Sequence, residues 1–189
     1  EWEGKYSSFW GDISGWNVGE CPSGYRLFSS FHDILSIPRY ISEYTDHQRR
    51  VIKYVFNDDI SKWDTGNFTD MSNMFRGANK CNQDLETSGN IWNTSNVKNM
   101  DEMFSNATNF NGNISNWDTK SVNNMSGMFE SASKFNQNLE TSGNSWDVSG
   151  VGTMIGMFQN ASVFNGNISN WETSKVSSMK YMFSSASAF

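Results

Sequence analysis

Cysteine, histidine and proline are scarce: two of each in 189 residues. Two cysteines, Cys21 and Cys81, build no disulfide framework. The only histidines, His32 and His47, lie in the irregular first part of the chain, and no zinc spacing, nucleophile motif or phosphate loop accompanies them. No catalytic residue and no cofactor is therefore nominated, and the chain is read as a non-enzyme. Basic residues are outnumbered, 14 against 20 acidic, for a net charge of -6, and they form no cluster. The footprint needed to neutralise phosphates is missing, which excludes nucleic acid as a partner. No apolar run approaches the roughly 20 residues that span a bilayer. Hydrophobic residues are only 37% of the chain and the mean hydropathy is -0.61. That is lean for one deep core. Aromatics, at 15%, are the compensation, and they point to a thin core running along an axis.

What is present in quantity is repetition. Trp63, Trp92, Trp117, Trp146 and Trp171 follow one another in alternating long and short steps, 29 then 25, taken twice. Phe75, Phe104, Phe129, Phe158 and Phe183 keep the same alternation, and so do Met71, Met100, Met125, Met154 and Met179. A second Met column (Met74, Met103, Met128, Met157, Met182) and an Ala column (Ala78, Ala107, Ala132, Ala161, Ala186) run beside them. The next column is Cys81, Phe110, Phe135, Phe164 and Phe189. Asn82, Asn111, Asn136 and Asn165 follow it, as Asn57 follows Phe56. The extra residues of the long units fall between Leu85 and Trp92 and between Leu139 and Trp146. Both insertions read Glu-Thr-Ser-Gly-Asn, which is turn chemistry. The true period is thus two turns, the interval from Trp63 to Trp117 or from Trp92 to Trp146.

These patterns predict a repeat solenoid, leucine-rich-repeat-like, with short parallel β-strands and short helical turns, about six to seven coils long. Residues 56–189 form its five regular repeats. The apolar spacing of three to four in V-x-x-M-x-x-M-F-x-x-A predicts a strand end leading into a helical turn. Stacked Asn side chains are expected to satisfy turn backbone groups from coil to coil. Residues 1–55 read as degenerate coils. Phe9-Trp10-Gly11-Asp12-Ile13-Ser14-Gly15-Trp16 matches the start of a unit, and Thr45-Asp46-His47-Gln48 resembles a capping box opening a short helix near 46–55. Residues 35–55 are either a shortened coil or an insertion. Cys21 and Cys81 fall in core columns and are expected as buried free thiols.

Several columns invite a chemical reading, each beside a structural one. Asp64, Asn93, Asp118, Asp147 and Glu172 follow the Trp. Stacked about 4.8 Å apart, their acids would repel and attract calcium, or each would cap a turn at a solvated edge. The Trp column is either one corner of the core or an exposed platform for sugars. Thr65, Thr94, Thr119 and Thr173, interrupted by Val148, form a Thr column of the kind seen on flat ice-binding faces. N-x-S/T sequons stand at Asn67, Asn93, Asn106, Asn113, Asn124, Asn160 and Asn167, close to the number chance supplies in so Asn- and Ser-rich a chain.

Phe164-Asn165-Gly166-Asn167-Ile168-Ser169-Asn170-Trp171-Glu172-Thr173, running on to Met179 and Met182-Phe183, resembles the BspA-like bacterial surface protein repeat. That is a divergent leucine-rich-repeat-type family, also common in mycoplasma lipoproteins and in protist, algal and viral proteins. The resemblance covers residues 56–189 closely and 9–34 loosely. It implies a right-handed solenoid outside the cell or on its surface, used for adhesion or protein contacts, with no catalytic residues to transfer. Two function classes follow: a structural or interaction solenoid, or an adhesin-like module binding glycan or calcium on the Trp and acidic columns.

The regular pattern runs to Phe189, a core column, and Trp2, Tyr6 and Phe9 sit at the similar phase upstream. Starting at Glu1 without a Met, the sequence reads as a processed chain or part of a longer one. An uncapped repeat exposes an apolar slab and unpaired edges. Trp2, Tyr6, Phe9, Phe183 and Phe189 are therefore the expected assembly residues. Either the array is longer, or copies stack head to tail into a filament.

Overall fold

The computed structural model describes residues 57, 59–85, 92–139 and 146–189. The upstream coil, Cys21, the helix expected near 46–55 and both Glu-Thr-Ser-Gly-Asn insertions lie outside the described residues. Within them, five successive units lie side by side in parallel register. Single-residue bridges join Asp70 to Asn99, Asn99 to Asn124, Asn124 to Thr153 and Thr153 to Ser178. Each bridge steps forward by one unit, so equivalent residues stack.

The apolar spacing of three to four is met without a helix: none forms among the described residues, and parallel pairing there is limited to those single bridges. The hydrogen bonds give the reason. The N–H groups of Met74, Arg76 and Ala78 donate three residues back, to the carbonyls of Met71, Asn73 and Phe75, at 3.0–3.2 Å. The alternate N–H groups, of Met71, Asn73, Phe75 and Gly77, donate sideways to Asn99, Asp101, Met103 and Ser105 of the next unit, at 2.7–2.9 Å. An α-helix needs every N–H for a carbonyl four residues back. Here half of them are directed between units. The result is a ribbon of tight turns, repeated from Met100, Met125 and Met154.

Two residues per unit hold this ribbon in the left-handed region. They are Asn73 and Gly77, Glu102 and Asn106, Gly127 and Ser131, Gly156 and Asn160, and Tyr181 and Ser185, with φ between 52° and 68°. Gly and Asn adopt it readily, whereas for Glu, Tyr and Ser it costs about 1–2 kcal/mol. Hydrogen bonds to an adjacent unit, made at or next to each of these positions, hold them there.

Inside the ribbon lies the aromatic core. Phe75, Phe104, Phe129, Phe158 and Phe183 stack from unit to unit with centroids 5.2–5.7 Å apart. Phe110, Phe135, Phe164 and Phe189 form a second column at 5.8–6.0 Å. Within a unit the two columns meet face to face at 3.8–4.0 Å. Both Met columns and the Ala column fill the space around them, fully buried up to the last unit. Cys81 occupies the Phe column as a buried free thiol. Desolvation pushes its pKa up to about 12.

The polar columns tie units together. Asn57 Oδ1 accepts from the Asn82 N–H at 3.0 Å, Asn82 from Asn111 at 2.7 Å, Asn111 from Asn136 at 2.8 Å and Asn136 from Asn165 at 2.7 Å. The expected Asn ladder is thus present, and each rung satisfies one backbone donor of the following unit.

Candidate interaction surfaces

The acidic column is occupied by its own backbone. Each side chain accepts the N–H two residues on: Asp64 from Gly66 at 3.0 Å, Asn93 from Ser95 at 2.9 Å, Asp118 from Lys120 at 3.1 Å, Asp147 from Ser149 at 2.8 Å and Glu172 from Ser174 at 2.9 Å. These are Asx-type turns. Ser149 donates its hydroxyl as well as its N–H to Asp147, and Lys120 and Lys175 stand nearby, so that carboxyl is held below its ordinary pKa against a small desolvation. Among the described residues no three His, Cys, Asp or Glu side chains gather to hold a metal ion.

The Trp column faces inward. Trp63, Trp92, Trp117 and Trp146 are at most 1% exposed, so none presents a ring face to a sugar. Their indoles bind backbone instead: Trp117 Nε1 donates to Leu85 O at 2.6 Å, Trp146 to Ile114 O at 2.7 Å and Trp171 to Leu139 O at 2.6 Å. Trp92 Nε1 is buried without such a partner among the described residues. The Thr column is internal too. Thr65, Thr94 and Thr119 are buried, and their hydroxyls donate to the carbonyls of Asn93, Asp118 and Asp147 at 2.8–3.0 Å. A flat outward Thr face is absent at these three positions.

The sequons are unequal. Asn67, Asn93, Asn106, Asn160 and Asn167 are exposed, while Asn113 and Asn124 are half-buried. Asn106 and Asn160, two units apart, both sit in the left-handed region. Asn106 Nδ2 donates to Ser105 Oγ at 3.0 Å, Asn93 and Asn167 accept local N–H groups, and Asn124 stands at a bridge and bonds Asp101. Beside that bridge, Asp101 is half-buried next to Glu102, which pairs with Arg76. Desolvation first, and the Glu102 charge second, raise the Asp101 pKa, opposed by Asn124 and Arg76.

The outer face of the last unit differs from every inner one. Met179 is 40% exposed, Tyr181 57% and Phe189 53%, where the counterparts of Met179 and Phe189 in the Met and Phe columns are buried. Phe183 is half-buried, stacked on Phe158 and Phe189. The N–H groups of Met179, Tyr181, Phe183 and Ser185, counterparts of the row that joins the other units, make no hydrogen bond among the described residues. Of the expected assembly residues, Phe183 and Phe189 thus lie together on this face. Trp2, Tyr6 and Phe9 lie outside the described residues. Unpaired edges are what the sequence predicts there; that the open donors are every second N–H of a turn ribbon is not, because that spacing comes from the ribbon and not from side-chain periodicity.

Residues 51–142 and again 87–189 match the family described as "Mycoplasma protein of unknown function, DUF285". No curated protein and no solved structure matches the chain. Among the described residues no helix is long and apolar enough to cross a membrane.

Proposed function

The chain belongs to the DUF285 family, and on that premise we propose that it is a non-enzymatic structural and interaction solenoid of the right-handed, leucine-rich-repeat-like kind, displayed outside the cell or on its surface. Its finer kinship is with the BspA-like repeats, and its working contacts are protein contacts. It is extended unit on unit, within a longer array or by copies stacked head to tail. The observation that supports this reading is the stacking of the units themselves: the alternate N–H groups of each inner unit bond the next unit, and the Asn ladder and the Phe columns run through them all. Titratable side chains offer little support for catalysis, since the acidic column is engaged in its own turns. The ligand-binding alternative loses its sugar platform with the burial of Trp63, Trp92, Trp117 and Trp146.

Protease shaving and surface labelling of intact cells test the location. Electron microscopy and light scattering of the native protein test the extension. The reading expects surface accessibility and elongated particles or fibres. Protein confined to the cytosol, or present only as short isolated particles at high concentration, would refute it.

A further inference from the structure

Asparagine followed directly by glycine occurs twice in the chain, as Asn111-Gly112 and Asn165-Gly166. Both pairs stand at the ladder position of a short unit. This dipeptide is suited to a reaction that needs no enzyme. Glycine has no Cβ to shield its nitrogen, and that nitrogen can reach the asparagine amide carbon by closing a five-membered ring. The Gly112 nitrogen attacks Asn111 Cγ and gives up its proton to solvent. The new N–Cγ bond closes a succinimide, and the Cγ–Nδ2 bond breaks to release ammonia. Water then opens the ring. Opening at Cγ leaves an aspartyl residue. Opening at the main-chain carbonyl leaves an isoaspartyl residue, whose chain runs through Cγ. Nothing is oxidised or reduced, and water is the only co-reactant.

The stack restrains both reacting groups. Asn111 Oδ1 accepts the Asn136 N–H at 2.8 Å and Gln137 Nε2 at 3.1 Å, and Asn111 O accepts Gln137 Nε2 at 2.7 Å. All three bonds come from the following unit. On the other side, the Asn111 N–H is bound to Asn82 Oδ1 at 2.7 Å. Gly112 is buried against that preceding unit, so closely that a Cβ on it would lie 2.0 Å from the carbonyl oxygen of Gln83. Its own N–H makes no hydrogen bond among the described residues. The nucleophile is therefore unengaged, and what restrains it is the packing around it. Gly166 repeats the close approach, at 2.1 Å from Gln137 O.

We propose that Asn111-Gly112 is a self-deamidation site gated by unit stacking, closed while the units on both sides are seated and open when they part. Ring closure moves the amide off Asn136 and Gln137 and lifts the Gly112 nitrogen from its seat beside Gln83. The isoaspartyl product carries one extra main-chain carbon just before Gly112, where the approach to Gln83 leaves no space. A stack that has parted and reacted cannot reseat, so a transient opening becomes permanent. The aspartyl product keeps the chain length and an oxygen for the Asn136 N–H, and it reseats.

The test incubates the full chain in mildly alkaline buffer, folded or in urea. Peptide mass spectrometry and enzymatic isoaspartyl methylation follow Asn111. A reaction confined to the opened form proceeds in proportion to the population of that form, so Asn111 is expected to react at least about tenfold more slowly in the folded chain than in urea. Gln137→Ala removes two of the three bonds, and should speed the folded reaction about threefold or more while leaving the rate in urea unchanged. The isolated isoaspartyl form should unfold at lower urea than the Asn111→Asp variant. Equal rates in the folded chain and in urea, or no acceleration by Gln137→Ala, would overturn the gate. An isoaspartyl form as stable as Asn111→Asp would overturn the permanence of the opening.

Discussion

Gly112→Ala probes a close backbone approach between two stacked units. The added methyl would lie 2.0 Å from Gln83 O, 2.8 Å from Gln83 C and 3.2 Å from Phe110 Cε2. An ordinary carbon–oxygen contact is longer by about 1 Å or more, and two of the three obstructing atoms are backbone, so no side chain can swing away. The units must part. Across the parting run the Asn113 N–H to Asp84 Oδ1 at 2.7 Å, the Asn111 N–H to Asn82 Oδ1 at 2.7 Å, the Leu85 N–H to Asn113 O at 3.0 Å and Trp117 Nε1 to Leu85 O at 2.6 Å. Each is worth about 1 kcal/mol net, and the buried indole donor about 1–3 kcal/mol if left unsatisfied. Loss of two or three gives a cost of about 3–5 kcal/mol. Gly152→Ala is the control, since its methyl would meet Asn123 O at 3.6 Å, an ordinary contact. It should change stability by no more than about 0.5 kcal/mol. Urea denaturation followed by tryptophan fluorescence measures both. If Gly112→Ala came within about 1 kcal/mol of Gly152→Ala, the close approach would not be what holds these units in register.

Gly156→Ala places a side chain at φ 61° with its nearest obstruction a flexible Gln159 Oε1. It should cost about 1 kcal/mol in the same urea assay. Asp101→Asn and Asp147→Asn should act in opposite directions on stability measured across pH. The raised pKa of Asp101 means the folded state binds its proton more tightly, so stability falls as pH rises from the unfolded value through the folded one, and Asp101→Asn stabilises at neutral pH. The lowered pKa of Asp147 means its contribution is present above the unfolded value and lost as pH falls through the folded one, so Asp147→Asn destabilises at neutral pH. Cys81, with its pKa pushed up to about 12, should resist iodoacetamide in mildly alkaline buffer in the folded chain and react in urea, as read by peptide mass spectrometry. Labelling of native Cys81 at the unfolded rate would contradict its burial.

The columns were legible because each unit makes the same demand five times. Trp63 and its successors, the paired Phe and Met columns, the Ala column and the Asn ladder were all placed from spacing alone. The inward position of Cys81 followed from its standing where Phe110, Phe135 and Phe164 stand. The helical turn was misread for a definite reason. An apolar interval of three to four is shared by an α-helix and by a ribbon of three-residue turns. What separates them is where Met71, Asn73, Phe75 and Gly77 send their N–H groups, and those partners, Asn99, Asp101, Met103 and Ser105, lie a whole unit further along the chain.

The sequence by itself determined the repeat, the composition of its core and the two-turn period. The tertiary structure alone decided how the two kinds of unit meet. Gln83 and Gly112 look like unrelated surface residues until stacking brings the carbonyl of one against the Cα of the other. Likewise, Glu102 and Tyr181 carry no local signal for a left-handed backbone. They adopt it because the ribbon's geometry is set by its neighbours, and hydrogen bonds between units outweigh a local penalty of about 1–2 kcal/mol.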